Sequence, residues 1–268
     1  MDNIIKNKIS GYVKIEAKNI YYEIINSEQL NSTDKLLIFL HEGLGSVAQW
    51  KDFPVLISNS LKIPALVYDR FGYGKSSKLK NERNETYLEK EAKEDLPILL
   101  IKLGFHDRNK ILIGHSDGGS IALIYASQFP ERTYAVITEA AHTFVEPHTI
   151  KGVKPVADLF ENGGLKEKLT KYHGENTESM FYGWYNVWSS KKFSKWNIES
   201  YLSKIKCSVL AIQGKDDEYG TFKQLESIQT HIGNNRIKIL FIDNCAHTPH
   251  VHFKEYVSEM MIKFIKDL

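Results

Sequence analysis

The sequence predicts an α/β domain: a mostly parallel sheet with helices on both faces and a helical insertion between two late strands. Three observations carry this. Short apolar runs recur along the chain, each closed by a turn signal and followed by a helical pattern. Most of these runs are nearly continuous rather than alternating, as strands buried on both faces of a parallel sheet require. One long stretch, 144–204, breaks the alternation and reads as helical and aromatic.

In chain order, residues 11–25 read as a half-polar leading hairpin that turns near Lys18-Asn19. The buried strands follow at Lys35–Leu40, Ala65–Tyr68, 111–113, 135–137, 209–212 and Ile237–Ile242. Helical patterns are expected at 87–103, 119–129, 222–231 and 256–266. The domain organisation is then a core of 1–143 and 205–268 with a helical cap at 144–204. That cap holds three of the four tryptophans, and most of its aromatics are expected to form its own core. Trp184 and Trp188 lie four residues apart and share a helix face. Together with Leu44 they are the expected wall of a substrate pocket.

Composition bounds the function classes. The chain has 268 residues, 42% hydrophobic and 25% charged, which suits one large domain and argues against a disordered or fibrous chain. A formal net charge of +2 offers no electrostatic case for nucleic acid or an anionic membrane surface. No apolar run approaches the roughly 20 residues that span a bilayer. Residues 1–6, MDNIIK, do not read as a signal peptide. Cys207 and Cys245 are too few for a disulfide framework and read as reduced thiols in a cytoplasmic protein. The expected partner is a small-molecule substrate, with neither nucleic acid nor membrane, and the chain a monomer or homodimer.

The strongest chemical signal is Gly114-His115-Ser116-Asp117-Gly118, directly after the strand at 111–113 and directly before a helix. A sharp turn there lifts the serine clear of the sheet, and side chains at either glycine would collide with neighbouring backbone. The following helix aims its N-terminal amides at the nucleophile, favouring developing negative charge. A serine nucleophile needs a base and an orienting acid, each expected on a loop after a late strand. His247 follows the strand Ile237–Ile242 and is the best placed of the ten histidines, with His250 and His252 beginning the last helix. Asp216, Asp217 and Glu218 all follow the strand at 209–212, and spacing alone leaves the acid open among them. A metal site on His247, His250 and His252 is not expected, because a proline interrupts the span and no carboxylate has matching spacing. The loop His41 to Ser46, after the strand Lys35–Leu40, is placed to offer a backbone amide to an oxyanion hole, with the Asp117 amide as its partner. Gly74-Lys75-Ser76 imitates the end of a phosphate loop, but the glycine required five residues earlier is Asp69. No cofactor is expected.

These pieces, in this order, resemble the α/β-hydrolase superfamily over nearly the whole chain. They are His41-Glu42-Gly43, the Asp69 to Ser76 loop, the Gly114 to Gly118 elbow, a cap, the Gly214-Lys215-Asp216-Asp217 loop and Ala246-His247. The resemblance implies an α/β-hydrolase fold and a Ser116-Asp217-His247 triad, the acid lying three residues after the glycine that ends its strand. Within the superfamily the chain looks like the bacterial subgroup near carbon-carbon bond hydrolases and small carboxylesterases. The implied activity is serine hydrolysis of a small, uncharged ester or related acyl compound. The alternatives are carbon-carbon bond hydrolysis of a ring-cleavage product and a noncatalytic small-molecule receptor on the same scaffold. Glu42 departs from the His-Gly usual at the oxyanion loop, so the resemblance implies Gly43 as the amide donor there, with Leu44 as the alternative. With Asp117, Glu42 is expected to put two carboxylates near the oxyanion and to disfavour acidic substrates.

Overall fold

Alternation within the apolar runs sorts their residues onto two sheet faces. Eight strands form one sheet in a computed structural model that describes residues 8–268. They are β1 (Lys8–Ile15), β2 (Lys18–Ile25), β3 (Lys35–Leu40), β4 (Ala65–Tyr68), β5 (Asn109–His115), β6 (Thr133–Glu139), β7 (Ser208–Gly214) and β8 (Ile237–Ile242). Residues 1–6, read above for a leader, lie outside the described residues. The order is β1-β2-β4-β3-β5-β6-β7-β8. β1 pairs with β2 and β2 with β4 antiparallel; every other pairing is parallel. Leu36, Ile38 and Leu40 of β3 belong to the apolar cluster on one face, Leu37 and Phe39 to that on the other. This is why the parallel strands read as continuous apolar runs.

Three expectations need correction. The hairpin turns at Glu16-Ala17, two residues early, because Lys18 and Asn19 are already paired with Ile15 and Lys14. Glu16 takes the left-handed conformation, φ 53°, without the glycine or asparagine that usually announces such a turn. The last helix is Lys254–Lys266; His250 and His252 sit in a separate short helix, Pro249–His252, ended by the non-helical backbone of Phe253. The helix expected at 87–103 runs as Tyr87–Lys90, a wider turn at Glu91–Asp95, then Leu96–Lys102. Pro97 has no N–H to give the Lys93 carbonyl, so the regular ladder cannot run through this point.

Between β6 and β7 the chain forms the helices Pro147–Val153, Val156–Glu161, Leu165–His173 and Thr177–Trp188, then a short turn, Glu199–Leu202. Phe160 stacks on Phe181 at 3.7 Å, and Trp188, Phe193 and Trp196 cluster, so many of the aromatics do pack on one another. Two polar residues tie this segment to the sheet loops. His173 accepts from the Gly74 amide at 2.9 Å and donates to the Leu44 carbonyl at 3.0 Å, and Asn176 donates to the Gly74 and Ser76 carbonyls. Burial lowers the His173 pKa, which favours the neutral ring those two bonds require.

Candidate active site

Ser116 sits between the end of β5 and the helix Asp117–Gln128, with φ 52° and ψ −115°. Only a crowded turn holds a serine there. A Cβ on Gly114 would lie 2.2 Å from the Gly118 carbonyl oxygen, and one on Gly118 would lie 1.9 Å from that of Leu40. Both flanking glycines are therefore steric requirements of the elbow. The Ser116 amide donates to the Glu139 carbonyl of β6 at 2.8 Å, fixing the turn to the sheet.

The late loops bring the other two groups to it. Ser116 Oγ donates to His247 Nε2 at 2.9 Å, and His247 Nδ1 lies 2.9 and 3.0 Å from the two Asp217 oxygens. Asp216, one residue earlier, is exposed. Asp217 also accepts from the Tyr219 and Gly220 amides and from Gln213 Nε2. Burial pushes its carboxyl up, but the His247 charge and these hydrogen bonds outweigh burial and hold the pKa at about 2. His148 donates to the Asp217 carbonyl at 2.9 Å, and His115 Nε2 to the His247 carbonyl at 2.8 Å. Both ends of the chain of contacts are thus held from behind.

Gly43 makes no hydrogen bond among the described residues, and its amide is free for a ligand. Asp117 opens its helix, so its amide is among those with no intrahelical partner. The Asp117 side chain is a different matter. It is fully buried, accepts from Tyr87 Oη at 2.6 Å and lies 3.5 Å from the Arg70 guanidinium. It does not line the cleft, which corrects the expectation of two carboxylates at the oxyanion: Arg70 and Tyr87 draw this one away. Glu42 does line it. Burial pushes the Glu42 carboxyl up, but the His115 ring and then His41 more than offset this, holding it well below the usual carboxylate range.

A cleft of about 330 Å³ opens over Ser116 and His247. Leu44, Trp184 and Trp188 all line it. Trp184 lies so close over Gly43 that a Cβ there would meet its indole nitrogen at 2.2 Å. Trp188 is only 3% exposed, and its indole N–H donates to Tyr87 Oη at 2.8 Å. A second cleft, about 350 Å³, opens beside Lys18, Arg83 and Asp95 and holds none of Ser116, Asp217 and His247. Among the described residues no group of histidine, cysteine and carboxylate side chains has the arrangement of a metal site, and no helix is long and apolar enough to cross a membrane.

Known proteins place this architecture. A family model described as alpha/beta hydrolase fold matches residues 35–250. The chain belongs to that family. A proline iminopeptidase of Saccharolobus solfataricus is 29% identical over 148 residues, 55% of this chain and 45% of that one. The chain thus spans about half the length of the iminopeptidases it matches. The serine hydrolase BPHL of Homo sapiens is 22% identical over 96% of this chain and 86% of its own. The solved structure of a serine hydrolase involved in carbazole degradation, the CarC enzyme, superposes with a TM-score of 0.74 at 16% identity, covering 97% of this chain and 100% of that one.

Several residues of this α/β-hydrolase site escaped the sequence reading. His142, behind Trp188 at 5.1 Å, and Tyr219, edge-on to His247 at 4.6 Å, line the cleft. Tyr87 and Arg70 support Asp117 from far-off positions; Arg70 lies in the Asp69 to Ser76 loop, but nothing local signals either contact. His115 was visible inside the elbow motif, but its contact with the His247 carbonyl joins residues 132 positions apart.

Proposed function

We propose that this α/β-hydrolase cleaves a small, non-acidic ester or related acyl compound through an acyl-enzyme on Ser116. Ser116 Oγ attacks the carbonyl carbon while His247 Nε2 takes its proton. Asp217 holds the ring in the tautomer that presents Nε2 and balances the imidazolium charge. The Gly43 and Asp117 amides receive the oxyanion. His247 then protonates the leaving group, and a water activated by the same ring releases the acyl group. Residues 144–204 act as the cap that walls the cleft.

One observation carries the reading: a serine, a histidine and a carboxylate from three separate loops meet within 3.0 Å of one another in sequence of contact. The half-length match to proline iminopeptidases supports a second reading, in which the same residues cleave an amide. A panel of short to medium acyl esters, thioesters and lactones with a proline anilide distinguishes the two. Turnover of one class should fall by several orders of magnitude in Ser116→Ala while the thermal unfolding midpoint stays close to that of the native chain. Unchanged turnover in that variant would end the serine-hydrolase reading.

A further inference from the structure

Glu42 lines the cleft, yet no step above uses its side chain. Its main chain is firmly held, because the carbonyl accepts from Arg70 Nη2 at 2.7 Å and from His41 Nδ1 at 2.8 Å. The carboxylate has no such support. Its side chain is 26% exposed and so is open to the cleft. Behind it, 3.4 Å away, lies His115 Nδ1, a buried atom without a hydrogen-bond partner of good geometry among the described residues. His115 Nε2 donates to the His247 carbonyl, which fixes the ring with its Nδ1 edge towards Glu42. The Glu42 carboxylate thus stands at the cleft wall with only the edge of the His115 ring close behind it. An occupant of the cleft that carries a donor can therefore reach the carboxylate directly.

The rest of the wall has the same preference. Glu218 adds a second carboxylate, Trp184 and Tyr219 add ring faces, and neither lysine nor arginine lines the cleft. Carboxylate and aromatic faces together favour a cation. Arg70, the buried cation nearest this wall, is committed to backbone carbonyls and to Asp117.

We propose that Glu42 anchors an ammonium group of the substrate, so that amine-bearing acyl compounds are preferred over the uncharged ones expected from the aromatic wall. This rests on the hydrolase reading, and the test separates the two. Benzyl esters of 3-aminopropanoic and 6-aminohexanoic acids are compared at neutral pH with those of butanoic and heptanoic acids, in which a methyl replaces the ammonium. The expected result is a kcat/KM ratio favouring the ammonium member by about tenfold or more in at least one pair, the scale of a hydrogen bond to a charged group. Glu42→Gln should bring that ratio towards one. Calorimetric titration of Ser116→Ala with the same esters should show the same preference in binding, lost in the Ser116→Ala, Glu42→Gln double variant. A native ratio near one with Ser116-dependent turnover, or a ratio that survives Glu42→Gln, overturns the proposal and leaves the hydrolase reading standing. Glu42-dependent binding of the ammonium esters without turnover supports the anchor and overturns the hydrolase reading. Neither binding nor turnover overturns both.

Discussion

Asp216 and Asp217 are adjacent carboxylates at the end of one strand, and their surroundings assign them different work. Asp217 turns inward to five polar contacts, whereas the Asp216 side chain stands in solvent. Asp217→Asn should lower the turnover number by roughly 10³- to 10⁴-fold, because the amide leaves the imidazole in the wrong tautomer. Asp216→Asn should cost far less, and steady-state kinetics on the two variants decides the assignment. The same carboxyl has a pH signature. Its folded pKa is depressed to about 2, below the ordinary aspartate value of 3.8. Its stabilising effect is then complete above the unfolded value and is lost as pH falls from about 4 towards 2. That contribution is on the order of 2 kcal/mol. Thermal unfolding of the native chain and Asp217→Asn should therefore converge across this window, and a constant gap would contradict the shift.

Among the elements, the parallel strands were legible because burial on both faces writes itself as uninterrupted apolar sequence. The hairpin turn was not, since Glu16-Ala17 has no residue that marks a left-handed turn. The irregular turn at Glu91–Asp95 was hidden inside a plausible helical pattern, although Pro97 stood in view. On the helix Thr177–Trp188 the shared face of Trp184 and Trp188 was readable from their spacing, but their division of labour was not. Trp188 is nearly sealed and linked through Tyr87 to Asp117, a contact across 101 residues. Trp188→Ala should cost ~3–5 kcal/mol of folding stability, as truncation of a buried tryptophan does. Trp184, stacked over Gly43 at the cleft, should instead change the ranking of acyl esters by chain length when truncated to alanine. Unfolding curves and kcat/KM across an acyl series separate the two effects; equal destabilisation with an unchanged ranking would make both tryptophans structural.

In the whole molecule, the site is assembled from ends of distant strands: the elbow after β5, the acid loop after β7 and the base loop after β8. Motif order along the chain made the serine and histidine legible, and family resemblance singled out Asp217 where spacing left three carboxylates open. The supporting polar groups were illegible for a different reason. Tyr87, His142 and His148 sit in no motif, Arg70 sits in the Asp69 to Ser76 loop without a role assigned there, and the value of all four comes from three-dimensional placement around Asp117, His247 and Asp217. Glu42 was readable as a departure from the family pattern, but its place at the cleft wall beside His115 appears only in the folded chain. The central claim is that one serine, made reactive by His247 and Asp217, does the chemistry. Labelling with a fluorophosphonate followed by peptide mapping tests it most directly. A single adduct on Ser116, formed in step with loss of turnover and much more slowly in Asp217→Asn, is the expected result. Full turnover with Ser116 fully labelled, or inactivation that tracks a different serine, would contradict it.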